Sequence, residues 1–423
     1  MPPVGESDDR GELLLIRTEE KVIGRRVFEA GPLSPALARG YAAELATHDA
    51  ATVWGLPDFM YLAPQQPVGK GYRELGDGLI IVGAFGLVLQ VKSRDTPREE
   101  ERERRWLQKK STQALRQGQG SIRRLLSAPV RLRNRRGREI ELDAGGRQWL
   151  TVVVLDHDSP PAEIEIPVPE NAVVMLRRDW EFLFEQLKSS HAVAQYCARV
   201  SGDPIALGNE PARYYELAQL DSQAGPKPLP ASMVGMGVHV SNPLLPLAPV
   251  GNDDLEAVAL VRELMESVAA HPPTLTDEAG RLRVLAELDR LPVASRAGVG
   301  RFLLDAVDEL GADTSGETQW RSRNIRGLPG EIHLGFVVCS RVHSAQLQDI
   351  FGLWLRLRHH DMIEARGDIH ELLTVGCLLT PRAGGFESLD TTMTAIQGDP
   401  ELTPEELAAA RGLWPTGGAV AAA

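Results

Sequence analysis

Several features that define other protein classes are scarce in this chain of 423 residues. It has three cysteines, Cys197, Cys339 and Cys377, and no CxxC pair, which argues against a disulfide framework and a zinc ribbon. No run approaches the roughly 18 apolar residues of a membrane-spanning helix. The acidic start MPPVGESDDRGE lacks the pattern of a secretory signal. These absences predict a protein of the reducing cytoplasm that makes no use of a membrane.

Widespread catalytic motifs are also missing. The chain contains no GxSxG, GxxxxGK[ST] or HExxH, which argues against a serine hydrolase, a P-loop NTPase and a zinc protease. Asp156-His157-Asp158 follows a predicted strand and is interpreted as a turn, with a ligand cluster as the alternative. His359-His360-Asp361 is interpreted as a group of surface residues, because adjacent histidines on a helix point in different directions.

Charge is distributed unevenly. A net charge of −12 would make the whole molecule repel nucleic acid, yet sixteen of the 46 basic residues lie between Lys92 and Arg138. Glutamates at positions 99, 100, 101 and 103 balance the first of them, and nothing balances those beyond Arg104. Such asymmetry is typical of polyanion binding, and the alternative is a solvated helix face. The candidate contacts with nucleic acid are Lys110, Gln113, Gln117, Arg123, Arg124, Arg131 and Arg133.

Composition and periodicity predict two folded regions joined by a linker. Residues 1–220 are predicted to form an α/β domain, beginning with a helix at 35–47 that Ser34 and Pro35 start. This domain is also predicted to contain an exposed basic hairpin at 131–143 and a strand at 172–176. Residues 221–254 are rich in Pro and Gly and are predicted to be a linker or long loop. Residues 255–390 are predicted to be a mostly helical domain with a β–α–β unit. Residues 391–423 are predicted to be a short helix and a disordered tail.

The stretch GYRELGDGLIIVGAFGLVLQVK, residues 71–92, carries the strongest indication of chemistry. It predicts two buried strands, 77–82 and 87–93, joined by a tight turn. Residues two apart on a strand share a face, so Gln90 and Lys92 point to the same side. Asp77 starts the partner strand. A carboxylate, an amide oxygen and an amine would therefore converge at one end of a small sheet.

This combination suits a divalent metal that assists hydrolysis of a phosphodiester. Mg²⁺ or Mn²⁺ prefers oxygen ligands, which Asp77, Gln90 and the carbonyl of Val91 could supply. Lys92 could orient or deprotonate the attacking water, or neutralise the scissile phosphate. A second carboxylate is expected from Glu44 or Glu74. The alternative is structural: Asp77 as a turn acceptor, Gln90 as a satisfied core amide and Lys92 as a residue at the sheet edge.

The pattern GDG followed by LVLQVKSRD resembles the PD-(D/E)xK nuclease superfamily, in the QxK variant of Mrr-type restriction endonucleases. The resemblance covers the first 160–200 residues and implies a restriction-endonuclease-like core of order αβββαβ, a mixed sheet flanked by helices. By position it implies that Asp77 and Gln90 are metal ligands and that Lys92 is the catalytic lysine. Glu44 matches an acidic residue that some members place on the first helix. Gln113 and Gln117 match polar positions on the next helix.

Three hypotheses remain. The first is a cytoplasmic Mg²⁺-dependent endonuclease acting on nucleic acid, DNA rather than RNA, with defence against foreign DNA as one role. Its C-terminal region would serve substrate choice, a protein partner or homo-oligomer formation. The second is a catalytically weak or inactive nuclease-fold protein that binds nucleic acid or protein, favoured by the uncharged Gln90 and the acidic net charge. The third is an assembly component whose Arg-rich segment meets an acidic protein surface.

Overall fold

The computed structural model describes residues 11–17, 22–63, 65–68, 71–94, 99–223, 245–247, 250–271, 277–313, 317–326, 333–366, 372–383 and 385–414. The chain is a mixed α/β protein that divides into two compact units. The first comprises residues 1–225, 243–249 and 276–293, and the second comprises 226–242, 250–275 and 294–423. Within the described residues, no helix combines the length and apolar character needed to cross a membrane.

The first unit contains most of the strands. Its elements are β1 (Gly11–Arg17), β2 (Val22–Phe28), α1 (Arg39–Trp54), β3 (Met60–Tyr61), β4 (Gln65–Val68), β5 (Gly71–Glu74), β6 (Gly78–Val82), β7 (Phe85–Ser93), α2 (Glu100–Leu125), β8 (Val130–Arg133), β9 (Glu139–Leu142), β10 (Gln148–Asp156), β11 (Ala172–Leu176), α3 (Arg177–Leu187), α4 (Ser190–Val200) and α5 (Glu210–Gln223). One further helix, described below, lies later in the chain.

A five-stranded sheet of order β11-β10-β7-β6-β3 forms the centre of this unit. β3, β6 and β7 pair antiparallel in succession, whereas β7, β10 and β11 are parallel to one another. The parallel strands are runs of Leu and Val because both faces of the sheet are covered. Helix α2 connects β7 to β10 and packs on one face through Leu107, Ala114 and Ile122. Helix α1 packs on the other face.

The second unit contains α6 (Leu255–Ala270), α8 (Val293–Gly311), β12 (Trp320–Arg326), β13 (His333–Cys339), α9 (Ala345–Arg366), β14 (Leu373–Arg382), β15 (Gly385–Gln397) and α10 (Pro404–Leu413). Its four-stranded sheet has the order β12-β13-β14-β15. β13 and β14 are parallel and are joined by α9, which confirms the predicted β–α–β unit. The outer strands β12 and β15 are antiparallel to their neighbours.

Three element predictions were wrong. The first helix begins at Arg39 instead of 35, because Ser34 and Pro35 form a turn closed by Leu37 N–H donating to Ser34 O at 3.3 Å. Trp320–Arg326 forms strand β12 although its sequence predicts a loop. Gly385–Gln397 forms strand β15, which extends into the region predicted to hold only a helix and a tail. Residues 415–423 lie outside the described residues.

The boundary between the two folded regions also differs from the predicted one. Helix α7 (Glu278–Asp289) belongs to the first unit, although its position in the chain placed it in the predicted domain 255–390. Its Arg281 binds the carboxylate of Asp58, and its Asp289 accepts hydrogen bonds from Ser189 Oγ and His191 N–H. The predicted linker 221–254 begins inside α5, which ends at Gln223, and residues 224–244 lie outside the described part.

Candidate active site

Asp77 directly precedes β6, at the point where the chain enters the central sheet. Gly76 makes this entry possible, because its φ of 100° is a left-handed conformation that favours glycine. The Asp77 N–H donates to Leu89 O at 2.9 Å, and the Val91 N–H donates to Asp77 Oδ2 at 2.6 Å. The Asp77 carboxylate thus accepts a hydrogen bond from the backbone of β7, just before the first residue of β6. This contact fixes the side chain against β7.

Lys92 reaches the same carboxylate. Its Nζ donates to Asp77 Oδ2 at 3.4 Å and to the carbonyl of Val91 at 3.0 Å. The side chains of Asp77 and Lys92 are each 19% exposed, so the pair is shielded but open to solvent on one side. Both contacts involve Oδ2, and Asp77 Oδ1 receives no hydrogen bond from the described residues.

Gln90 lies beside this pair on the same face of β7. It is only 3% exposed, yet it forms no hydrogen bond with any residue that the structure describes. Its Nε2 lies 3.4 Å from the position that a Cβ on Gly76 would take, so the amide lies under the turn that leads into Asp77. Neither atom of this amide is among the fully enclosed polar atoms that lack a partner in the described residues, so the amide keeps contact with solvent.

Helix α1 supports the site from the other face of the sheet. The ring of His48 lies 3.0 Å from the Asp77 carbonyl, through Nε2. Burial, followed by the nearby Arg135 guanidinium, lowers the pKa of His48 to about 4. The ring is therefore neutral at pH 7, and Nε2 carries the proton because a carbonyl only accepts. Sequence reasoning missed His48, whose signal is its spacing four residues after Glu44.

Glu44 and Glu74 were the candidates for a second carboxylate. Glu44 is half-buried and precedes His48 by one helical turn, so it lies on the part of α1 that approaches the Asp77 end of β6. Glu74 ends β5, and its side chain lies outside what the structure describes. Of the two acids, only Glu44 has a side chain that the structure describes.

Asp58, which lies in the dipeptide Pro57-Asp58, has a structural role. It is completely buried and binds Arg136 Nε at 2.6 Å and Arg281 Nη2 at 2.8 Å. Arg135 likewise binds Asp49 at 2.7 Å. The predicted exposed hairpin is present as β8 and β9, but arginines of its turn are paired within the molecule.

A second polar cluster lies just beyond Lys92, where β7 and β10 end. Asp156 is the last residue of β10 rather than part of a turn, and it is 2% exposed. Its carboxylate accepts from Ser93 Oγ at 2.8 Å, Arg39 Nε at 3.0 Å and Arg177 Nε at 2.9 Å. Burial opposes ionisation of Asp156, but these donors outweigh it and lower its pKa. The cluster ties α1 and α3 to the strand ends beside the site.

A group of potential ligands on α9, which overlaps His359-His360-Asp361, is unsuited to a metal. His360, Asp361 and Glu364 are the one group of three potential ligands brought close together in the described residues. Asp361 already binds Arg358 at 3.1 Å, and Glu364 binds Arg411 at 2.8 Å. The interpretation of His359 as a surface residue was wrong, because it is completely buried and hydrogen-bonded to Thr374 and Gly398.

The predicted contacts with nucleic acid fall into three groups. Lys110, Gln117 and Arg124 are half-buried on the flank of α2 that also carries Trp106. Trp106 lies against Arg94, which follows β7, so this flank faces the β7 side of the sheet. Gln113 and Arg123 are exposed further round the helix, and Arg131 and Arg133 are exposed on β8.

Comparisons of the chain with protein-family models, with curated proteins and with solved structures gave no match.

Proposed function

We propose that this chain is a Mg²⁺- or Mn²⁺-dependent endonuclease of the restriction-endonuclease-like type that hydrolyses phosphodiester bonds in DNA. The observation that carries the proposal is the convergence, at one end of the central sheet, of the Asp77–Lys92 pair with the Gln90 amide, which forms no hydrogen bond with the described residues. A ligand for a cation needs its oxygen to be available.

The order of elements around the site supports the same proposal. A helix precedes three strands that pair antiparallel in succession, and α2 then leads to β10, parallel to β7. Apart from the two-stranded sheets β4–β5 and β8–β9, which interrupt it, this order is compatible with the αβββαβ core that the resemblance implies. Asp77 and Lys92 lie on adjacent strands of that order, as the proposed roles require.

The residues present fit a divalent cation. Asp77 Oδ1, the side-chain oxygen of Gln90, the Val91 carbonyl and Glu44 would supply oxygen ligands. When bound, the cation would lower the pKa of the attacking water and offset negative charge on the phosphate. Lys92, held by Asp77 and the Val91 carbonyl, would position the water or neutralise the scissile phosphate. His48 would hold the backbone of Asp77 in place.

A plasmid-nicking assay in Mg²⁺ and in Mn²⁺ tests the proposal. We expect Asp77→Asn and Lys92→Met each to reduce nicking at least about 100-fold, because one removes the charged ligand and the other removes the local cation. Asp143→Asn is the matched control, since it removes an exposed carboxylate that accepts from the Gly145 N–H in the loop before β10. Equal nicking by the wild type and all three variants would show that the site is assigned to the wrong residues.

One observation favours a second function, a nuclease-fold protein that binds nucleic acid without cutting it. Gln90 occupies a position where an acid would strengthen a metal site, and Asp77 already shares its Oδ2 between Val91 N–H and Lys92. This function predicts no nicking in either metal. It also predicts that calorimetry detects the same heat with Mn²⁺ for the wild type and for Asp77→Asn. It also predicts that binding to DNA is unaffected by Asp77→Asn.

A further inference from the structure

We infer that the outer face of α2 binds the phosphate backbone of duplex DNA through three cations, Lys109, Arg116 and Arg123. This inference rests on the proposed function, because it takes nucleic acid as the substrate, and it assigns the strandedness of that substrate and the surface that holds it. Of these three residues, the sequence-based candidates included only Arg123.

The first turns of α2 are electrically neutralised. Arg104 binds Glu100 at 2.9 Å, Arg105 binds Glu101 at 3.0 Å, and Arg102 lies 3.8 Å from Glu99. Arg102 and Arg105 are exposed and Arg104 is half-buried, and each has an acid of the same helix beside it. They therefore contribute little attraction to a polyanion.

The rest of the helix differs. No acid occurs from Arg104 to Leu125, and Lys109, Arg116 and Arg123 are exposed and form no ion pair with the described residues. They are seven residues apart, which places them on one face at intervals of about 10.5 Å. The face between them carries small or neutral residues, including Thr112 and Gly120. A rigid row of three unbalanced cations thus extends over about 21 Å.

A duplex fits this row better than a single strand. A length of about 21 Å corresponds to about six base-pair steps of 3.4 Å along one strand. Proteins that hold single strands stack bases on exposed aromatic rings. The one aromatic residue of α2 is Trp106, which is half-buried and lies against Arg94 and His157. The outer face of α2 therefore offers charge at fixed spacing and no stacking surface.

The salt dependence of DNA binding tests this inference. Affinity for a labelled 20-base-pair duplex would be measured in EDTA, which prevents cleavage, between 50 and 200 mM NaCl. We expect the triple variant Lys109→Gln, Arg116→Gln, Arg123→Gln to flatten the slope of log K against log salt concentration by about 2.7, at about 0.9 per phosphate contact. Gln preserves helix propensity, and thermal unfolding would verify that the variant is folded.

The matched control removes the same charge from the same helix. Arg102→Gln, Arg104→Gln, Arg105→Gln replaces the three cations that are already paired, and we expect its slope to stay within about one unit of the wild-type value. An unchanged slope in the first triple variant, or equal changes in both, would overturn the inference. Tighter binding of a single strand, or of polyglutamate, than of the duplex would overturn the choice of ligand.

Failure of the inference and failure of the proposed function give different results. If Asp77→Asn abolishes nicking but the first triple variant binds the duplex normally, the nuclease stands and this surface is wrong. If the wild type nicks DNA in neither metal, while the first triple variant shows the flattened salt slope of DNA binding, the assignment of the surface stands and the proposed catalytic function is wrong.

Discussion

Gln90 is the residue on which the chemistry of the site depends most. Its amide is neutral, so in the proposed site the negative charge next to β7 comes from Asp77, whose carboxylate accepts from the Val91 N–H. We expect Gln90→Glu to increase affinity for Mn²⁺ about tenfold, since it adds a carboxylate at a position already buried and unpaired. Without metal the same change should lower the melting temperature, because two carboxylates would then lie close together. Calorimetry and thermal unfolding with and without Mn²⁺ measure both effects.

The control for this prediction is Gln113→Glu, which adds the same charge on the exposed side of α2. Its metal affinity should equal that of the wild type. If Gln90→Glu destabilised the protein and Mn²⁺ failed to restore the loss, the face of β7 that carries Gln90 would not be a metal site.

His48 makes the stability of the first unit depend on pH. Its pKa is lowered from 6.5 to about 4, so the unfolded chain binds a proton in a range where the folded protein stays neutral. Stability is therefore lost as pH falls from about 6.5 to about 4, by at most about 3 kcal/mol. We expect His48→Gln, which retains a donor towards the Asp77 carbonyl, to reduce this loss.

Urea unfolding at pH 7, 5.5 and 4 checks the prediction for His48. The exposed His343→Gln serves as the control and should follow the wild-type curve. A pH dependence that is the same in all three proteins would mean that His48 is not held neutral by the fold.

Sequence reasoning could predict only part of the candidate site. The convergence of Asp77 with Lys92 follows from strand alternation and a short turn, both of which are local. His48 could not be placed, because its contact with Asp77 depends on how α1 lies on the sheet. Asp156 was misread as part of a turn, since its partners Arg39 and Arg177 come from helices distant in sequence.

Among the elements, agreement between sequence and structure depends on burial. The strand predicted at 172–176 coincides with β11, and β7 differs from its prediction only at its start, because continuous apolar runs identify strands covered on both faces. The missed strands β12 and β15 are at the edges of the second sheet and have polar sequences. Their pairing partners, β13 and β14, determine their structure, and no local pattern shows this.

Two glycines of α2 provide a prediction about helix packing. Gly118 faces the sheet, and a Cβ there would lie 2.2 Å from Thr151 Cγ2, whereas a Cβ on Gly120 would lie 3.9 Å from Arg123 Nη2. We expect Gly118→Ala to destabilise the protein by about 1–3 kcal/mol through overpacking. Gly120→Ala should stabilise it by up to about 1 kcal/mol through helix propensity. Thermal unfolding of the pair would show the opposite signs, and equal signs would contradict this packing of α2 on β10.

At the scale of the whole molecule, the first unit is assembled from separate parts of the chain. Helix α7 follows α6 in sequence, yet its Asp289 accepts from the start of α4 and its Arg281 neutralises the buried Asp58. Sequence composition places domain boundaries in Pro- and Gly-rich segments, so a helix that returns to an earlier domain cannot be foreseen. The chain therefore passes between the two units several times before residue 293, after which it stays in the second unit.

This arrangement predicts how shortened proteins behave. A chain of residues 1–223 keeps the central sheet but removes Arg281 from Asp58 and leaves Ser189 Oγ and His191 N–H without Asp289. Breaking a buried ion pair costs about 3–5 kcal/mol, so we expect this chain to unfold at a markedly lower urea concentration than residues 1–293. Within residues 1–293, Asp289→Ala should cause part of the same loss of stability, because it removes the acceptor for Ser189 Oγ and His191 N–H. The substitution Asp253→Ala, at an exposed residue, should have no effect. If residues 1–223 were as stable as residues 1–293, α7 would not be part of the first unit.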